Sequence, residues 1–227
     1  MGDLSYKAVL LDLDGVLLDS MDHHAAAWLE VMSAAGLKVE REFILAHEGC
    51  LQTEVLEGLL RDQGVALAAG EGAQEFMARL LDEQRSLFLR HYAHLVRPYP
   101  GAANFLTSLK RRGTPAALVT SSRRDQVEGC LPPGLLGCFS VVVASDDVSR
   151  HKPHPEPYLR AAQALGIPPR DCLVVENAPA GIAAAVAAGA TCYALATTLG
   201  PGHLDQAHAV FPSLDHLARH LGFNGAG

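Results

Sequence analysis

The sequence predicts an α/β protein built on a doubly wound, mainly parallel sheet, with a helical module inserted into it. Three observations carry that expectation. Short apolar runs without polar alternation recur along the chain, as strands covered on both faces require. Helix-period segments that stop at glycine lie between them. One long stretch near the N-terminus breaks the rhythm and shows helical spacing only. Strand and helix otherwise alternate, which is the pattern of a Rossmann-like fold.

The first strand is expected at Ala8–Leu11. It is followed by the inserted module, where Ala25, Trp28, Met32 and Ala35 form one apolar stripe before Gly36. Val55, Leu56, Leu59 and Leu60 form a second stripe before Gly64, and a longer helix from about Glu71 to Tyr92 carries Phe76, Leu80, Leu87 and Phe88. Arg97-Pro98-Tyr99-Pro100-Gly101 reads as the linker back. The boundaries follow: residues 1–18 and 98–227 form the α/β core, and residues 19–97 the helical cap. Within the core, helices are expected at Asn104–Arg112, Glu156–Leu165 and Ala180–Ala188, ending at Gly113, Gly166 and Gly189. Strands are expected at Ala116–Val119, Val141–Ala144, Cys172–Val175 and Thr191–Ala196, with a weaker one at Ala209–Phe211.

With 227 residues, 49% of them hydrophobic and 19% charged, the chain can bury a large core. A net charge of −7 argues against a nucleic-acid partner, which would need a basic face. The stretch from Ala178 to Leu204 lacks charge, yet Pro179, Gly181, Gly189, Gly200, Pro201 and Gly202 interrupt it. It reads as buried helix, strand and loop rather than a membrane span. No signal peptide is evident. The five cysteines, Cys50, Cys130, Cys138, Cys172 and Cys192, form no C-x-x-C pair and suit reduced thiols. The expectation is a soluble cytoplasmic protein, a monomer or weak dimer, with no membrane partner.

Chemistry gathers where the strands end, because open α/β sheets bind ligands outside the C-terminal strand tips. The first strand delivers Asp12 and Asp14, which the two-residue period sends to the same side. Two carboxylates held so close call for a cation, a shared proton, or both. The second strand delivers Thr120-Ser121-Ser122-Arg123. The third is followed by Asp146-Asp147 and then His151-Lys152-Pro153, and the fourth delivers Glu176-Asn177. Such a set fits phosphoryl transfer with a carboxylate nucleophile. Mg²⁺ and Lys152 would offset the negative charge around a phosphate, and amides with the Thr120 hydroxyl would cradle it.

These motifs resemble those of the haloacid dehalogenase superfamily, in particular its phosphatases and phosphomutases with a helical cap. Asp12-Leu13-Asp14-Gly15-Val16 is similar to its first motif and Thr120 to its second. Lys152-Pro153 with Pro155 is similar to the third, and Glu176-Asn177-Ala178-Pro179-Ala180-Gly181-Ile182 to the fourth. The resemblance implies Asp12 as nucleophile and Asp14 as general acid/base, with Thr120 and Lys152 binding the transferring phosphoryl group. It further implies Mg²⁺ held by Asp12, the Asp14 carbonyl and the Glu176–Asn177 pair. Backbone donors from Leu13 and Ser121 complete the picture. Many relatives carry Asp where this chain has Asn177, which removes one negative charge.

Other residues have a structural reading beside a functional one. His24 and Trp28 share a face of the first cap helix; the family spacing puts His24 near substrate, whereas Trp28 reads as core. The pairs His91/His94, His151/His154 and His216/His220 lack a third metal ligand and read as surface. Lys110-Arg111-Arg112 closes a helix, where positive charge favours the C-terminal end of the dipole. Ser122 and Arg123 are either plain turn residues or phosphate contacts. Gly49 marks the cap loop expected near substrate.

The leading expectation is a Mg²⁺-dependent phosphatase acting on a small phosphorylated metabolite such as a sugar or polyol phosphate. A β-phosphoglucomutase-type mutase is the alternative; its pattern has an arginine soon after the cap-loop glycine, and Gly49-Cys50-Leu51-Gln52-Thr53 has none. A catalytically silent binding protein is the third reading, and the retention of Asp12, Asp14 and Lys152 argues against it. Phosphonate hydrolysis would need a cap lysine, and Lys38 is the only one.

Overall fold

A computed structural model describes residues 6–47, 53–67 and 71–223. The strands are β1 Ala8–Leu11, β2 Leu18–Asp19, β3 Arg97–Pro98, β4 Ala116–Val119, β5 Val141–Val143, β6 Cys172–Glu176, β7 Thr191–Leu195 and β8 Ala209–Phe211. The helices are α1 Met21–Ala34, α2 Arg41–His47, α3 Thr53–Gln63, α4 Ala73–His91, α5 Ala102–Arg111, α6 Arg124–Cys130, α7 Pro133–Leu136, α8 Glu156–Leu165, α9 Pro179–Ala187 and α10 Leu214–His220. By compactness the chain divides into Met1–Asp19 with Arg97–Gly227, and Ser20–Val96.

The first unit is a six-stranded sheet in the order β5-β4-β1-β6-β7-β8, with every ladder parallel. The sheet has the α/β, doubly wound character that the unbroken apolar runs predict. All four residues of β1 are fully buried, because strands covered on both faces need apolar side chains at every position. Ala8 and Leu10 join a core with Val119, Val174 and Cys192 from the sheet, Tyr158 and Ala161 from α8, and Ile182 and Ala185 from α9. Val9 and Leu11 take the opposite face by the two-residue period.

The topology decides where the chemistry sits. From β1 the chain builds outward through β4 to β5, then returns to pair β6 on the other side of β1 and continues through β7 to β8. That reversal puts a switch point at the tip of β1, where Leu11 is in register with Leu118 on one side and Val175 on the other. The short antiparallel pair β2–β3 matches Leu18 with Pro98 and Asp19 with Arg97. Two-residue strands leave no periodic trace, and the sequence does not predict this ribbon.

The second unit is helical. α1 buries Ala25, Trp28, Val31 and Met32, and α4 buries Phe76, Leu80 and Phe88. His24 stacks on Phe88 at 3.9 Å between ring centroids, and its Nδ1 lies 3.4 Å from Gln84 Nε2. The sequence does not predict α2, whose seven residues bury only the adjacent pair Ile44 and Leu45, too few for a stripe. Exposed Lys38 is tied through its backbone to the Gln63 side chain by two bonds of 2.8 Å. Gly49 and Cys50 fall outside the described residues. Among those described, no helix is long and apolar enough to cross a membrane.

Leu10 is fully buried in the central strand, against both α8 and α9 through the common core. Leu10→Ala should lower unfolding free energy by about 2–5 kcal/mol, as buried leucine truncations do. Urea unfolding followed by circular dichroism checks this, and a loss below about 1 kcal/mol would contradict the packing described.

Candidate active site

Asp12 stands one residue beyond β1, with its amide still bound to the Val175 carbonyl at 3.0 Å, so it leaves the sheet in strand direction. The chain then folds back on itself. The Leu13 carbonyl accepts from the amides of Leu17 and Leu18 at 2.9 Å each, and the Gly15 amide donates to the Leu18 carbonyl at 2.8 Å. This tight turn needs Gly15, which sits at φ +83°, where an L side chain is strained. A Cβ there would also lie 2.0 Å from Asn177 Nδ2 and 2.8 Å from Thr198 Oγ1.

Lys152 reaches Asp12 from the loop before α8. Its buried ammonium donates to Asp12 Oδ1 at 2.6 Å, Glu176 Oε1 at 2.7 Å and the Val119 carbonyl at 3.1 Å. Three protons meet three acceptors, so the ammonium is saturated. The two carboxylates outweigh its burial and hold it firmly protonated. Asp12 feels the opposite balance: burial pushes its carboxyl up to about 8, Lys152 pulls it down, and Glu176 and Asp14 add to the rise.

Glu176 ends β6 and is fixed from every side. Its Oε1 also accepts from the buried Tyr158 hydroxyl at 2.7 Å, and its Oε2 accepts from the amides of Asn177 at 2.9 Å and Ala178 at 3.2 Å. The carboxylate packs so closely on α9 that a Cβ at Gly181 would lie 1.7 Å from Oε1. Asp14 is held by Ser122, whose hydroxyl donates to its Oδ2 at 2.7 Å. Buried Thr120 accepts the Ser122 amide at 3.0 Å. Among the described residues the backbone amides of Leu13 and Ser121 meet no acceptor. A pair of such donors beside a carboxylate tip suits an oxyanion.

The sequence-derived residues thus gather unevenly. Asp12, Asp14, Lys152, Glu176 and Ser122 form one bonded network, with Thr120 joined to it through the Ser122 amide. Arg123 is exposed and precedes α6 as its N-cap, its amide donating to Gln126 Oε1 at 3.0 Å. His24 belongs to the helical unit, where it stacks on Phe88. His91, His94, His151, His216 and His220 are all exposed, and no group of three His, Cys, Asp or Glu side chains that could hold a metal exists among the described residues. Burial pushes the Cys130 thiol up to about 12 and that of Cys172 up to about 11, so neither supplies a thiolate at neutral pH.

Three carboxylates around one ammonium leave negative charge unbalanced, which invites a hard cation. The donor set for it is narrower than the motif implies. All four acceptor sites of Glu176 are filled by Lys152, Tyr158 and two amides, so it holds the lysine rather than offering a direct ligand. Asn177 is 1% exposed; its Nδ2 donates to Thr198 Oγ1 at 2.9 Å, and its Oδ1 meets no donor among the described residues. An unsatisfied buried carbonyl oxygen costs about 1–3 kcal/mol, and a cation ligated there would remove that cost. With the Asp12 carboxylate and the Asp14 carbonyl it makes an all-oxygen set that fits Mg²⁺.

Several of these residues escape sequence reading. Tyr158 sits in the apolar stripe of α8, where packing is the natural account. The Glu176 amide partners have no side-chain signature. Thr197 and Thr198 follow the fifth expected strand, and asking what that strand delivers would have found them. Thr197 Oγ1 donates to the Gly15 carbonyl at 2.5 Å.

The fold and the site together define a phosphate-handling α/β enzyme. A model of haloacid dehalogenase-like hydrolases matches residues 6–189, and the chain belongs to that family. It is 32% identical over 218 residues to the validoxylamine A 7'-phosphate phosphatase of Streptomyces hygroscopicus subsp. limoneus, covering 93% of this chain and 96% of that protein. It is 32% identical over 189 residues to a fructose-1-phosphate phosphatase of Escherichia coli (strain K12), covering 81% and 93% respectively. A solved β-phosphoglucomutase-type protein from Bacteroides vulgatus superposes with a TM-score of 0.80 at 31% identity, covering 97% of this chain and 89% of that one. The chain is a phosphoric monoester hydrolase of this family.

Two helical glycines give a paired test. Gly181→Ala forces Glu176 off Lys152 and should cost about 1–3 kcal/mol, as overpacking does. Gly58→Ala, with open space around its Cβ in α3, should be neutral or stabilising by about 0.5–1 kcal/mol. Thermal melts of the two variants check the contrast, and equal effects would contradict it.

Proposed function

We propose that this chain is a Mg²⁺-dependent phosphatase that hydrolyses a small sugar or polyol phosphate through an aspartyl-phosphate on Asp12. The observation that carries this reading is the buried contact of 2.6 Å between Asp12 and a saturated Lys152, at a strand tip beside the unpartnered amides of Leu13 and Ser121. The relatives named for fructose-1-phosphate and validoxylamine A 7'-phosphate support a phosphorylated polyhydroxy compound as substrate.

In the first half-reaction Asp12 attacks phosphorus as the bond from phosphorus to the substrate oxygen breaks, and Asp14 gives its proton to the departing alkoxide. In the second, water attacks phosphorus, Asp14 takes its proton, and the Asp12–phosphorus bond breaks to release inorganic phosphate. The Ser122 hydroxyl, which donates to Asp14 Oδ2 at 2.7 Å, supports this role by restraining the carboxyl. The Thr120 hydroxyl and the amides of Leu13 and Ser121 hold the charge that spreads over the phosphoryl oxygens, and the saturated Lys152 ammonium adds its positive charge nearby. Held by Asp12, the Asp14 carbonyl and Asn177, Mg²⁺ would supply positive charge to the transferring phosphoryl group and keep Asp12 ionised. The contacts of Asp12, Lys152, Glu176 and Asn177 lie within the α/β unit, which carries the chemistry.

The direct experiment is ³¹P NMR of the full chain with a panel of sugar and polyol phosphates, with and without Mg²⁺. Free phosphate, formed only with Mg²⁺, is expected; an isomeric sugar phosphate would instead make the chain a mutase, and no turnover would make it a binding protein. Asp14→Asn should lower kcat by about 10²–10⁴-fold while the fold persists. Asp12→Asn with wild-type turnover would remove the proposed nucleophile. Because Asn177 lacks the charge of a carboxylate, Asn177→Asp should bind Mg²⁺ more tightly in a direct titration; equal or weaker binding counts against Asn177 as a ligand.

A further inference from the structure

The two threonines after β7 reach back to the first-motif turn. Thr197 Oγ1 donates to the Gly15 carbonyl at 2.5 Å, and Thr198 Oγ1 accepts from Asn177 Nδ2 at 2.9 Å. Gly15, Asn177 and Thr198 are so closely fitted that a single added Cβ at residue 15 would meet both side chains within 2.8 Å. Asn177 itself is 1% exposed, and among the described residues its Oδ1 has no hydrogen-bond partner.

An amide differs from a carboxylate in a way that matters here. A carboxylate offers oxygen whichever way it turns, whereas an amide offers oxygen on one side and an N–H₂ group on the other. A cation accepts the first and is repelled by the second. An asparagine at a cation site therefore needs something to fix its direction, which an aspartate does not.

We propose that Thr198 is a positioning residue for the cation site: by accepting the Asn177 Nδ2 hydrogen bond it turns Oδ1 toward the metal. The inference rests on the reading of a Mg²⁺ site at Asp12, the Asp14 carbonyl and Asn177. The hydroxyl takes the donor end of the amide, so the acceptor end remains as a ligand. Without it, a buried N–H₂ group loses its acceptor and the amide is drawn to turn toward the nearby carboxylates. That rotation would present nitrogen to the cation. Outer groups that orient a metal ligand typically contribute about 10–100-fold to metal affinity.

The test is a double-mutant cycle read by metal binding alone, with Mn²⁺ as the probe, since it shares the oxygen-ligand preference of Mg²⁺. Free Mn²⁺ is followed by electron paramagnetic resonance during titration of the full chain without substrate, and Mg²⁺ is used to displace it. Thr198→Val in the Asn177 background should weaken Mn²⁺ binding about 10–100-fold, and Thr198→Ser should restore it. In the Asn177→Asp background the same Thr198→Val change should alter binding by no more than about twofold, because either carboxylate oxygen serves. Thr198 is only half-buried, and circular dichroism melts, with Thr198→Ala as a second variant, separate a folding defect from an orienting one. Equal losses in both backgrounds, or no loss in either, would overturn the role of Thr198 while leaving the cation site standing. Failure of the wild-type chain to bind Mn²⁺ at all would overturn the cation site itself, and the proposal with it.

Discussion

A single buried ammonium organises the reacting end of this sheet. Lys152 donates to the residue after β1, to the last carbonyl of β4 and to the last side chain of β6, so three adjacent strand tips share one cation. Removing one member of such a buried set leaves the others uncompensated, at a cost of about 3–5 kcal/mol. The arrangement therefore needs all its supports at once. Tyr158 supplies a hydroxyl to Glu176, two amides at the start of α9 supply two more donors, and Gly181 supplies the space. The position of Asp12 is set from beneath by groups that sit behind it in the core.

The same network leaves the charge unbalanced, and this constrains the chemistry. Burial raises the Asp12 carboxyl, and a protonated carboxyl is a poor nucleophile. Lys152 works against that rise but is shared with Glu176. An additional hard cation would lower the Asp12 carboxyl further and offset the repulsion of a phosphate dianion. As the proposed ligand, Asn177 would make that addition gentler than an aspartate, because the site carries one charge less before the cation arrives. The gain has a geometric condition, since an amide must face the right way.

Much of this was legible in the sequence, for physical reasons that also explain the gaps. The six sheet strands coincide closely with unbroken apolar runs because both faces of the sheet are covered. Asp12, Asp14, Lys152 and Glu176 were legible because polar residues at the ends of apolar strands have few structural excuses. Glu176 was legible as a residue but not as a role, because its partners are backbone amides and a tyrosine within a helical core stripe. The helix α2 and the β2–β3 ribbon were invisible because neither is long enough to show a period. Thr197 and Thr198 were readable by the rule that exposed the others, applied to one more strand.

The turn from Leu13 to Leu18 draws these threads together. Its closing bonds run to the Leu13 carbonyl, so the residue whose amide meets no acceptor among the described residues also anchors the fold-back that carries Asp14. Gly15 lies in the middle of that turn, and its missing side chain is the space Asn177 and Thr198 occupy. Asp12 and Asp14 are thus tied to one turn, with Asn177 and Thr198 packed against its glycine. Asp12, Lys152, Glu176 and Asn177 bond to one another and to neighbours within the α/β unit. Two relatives matched over 96% and 93% of their own length are named for different phosphate esters, so this shared framework accompanies more than one substrate name.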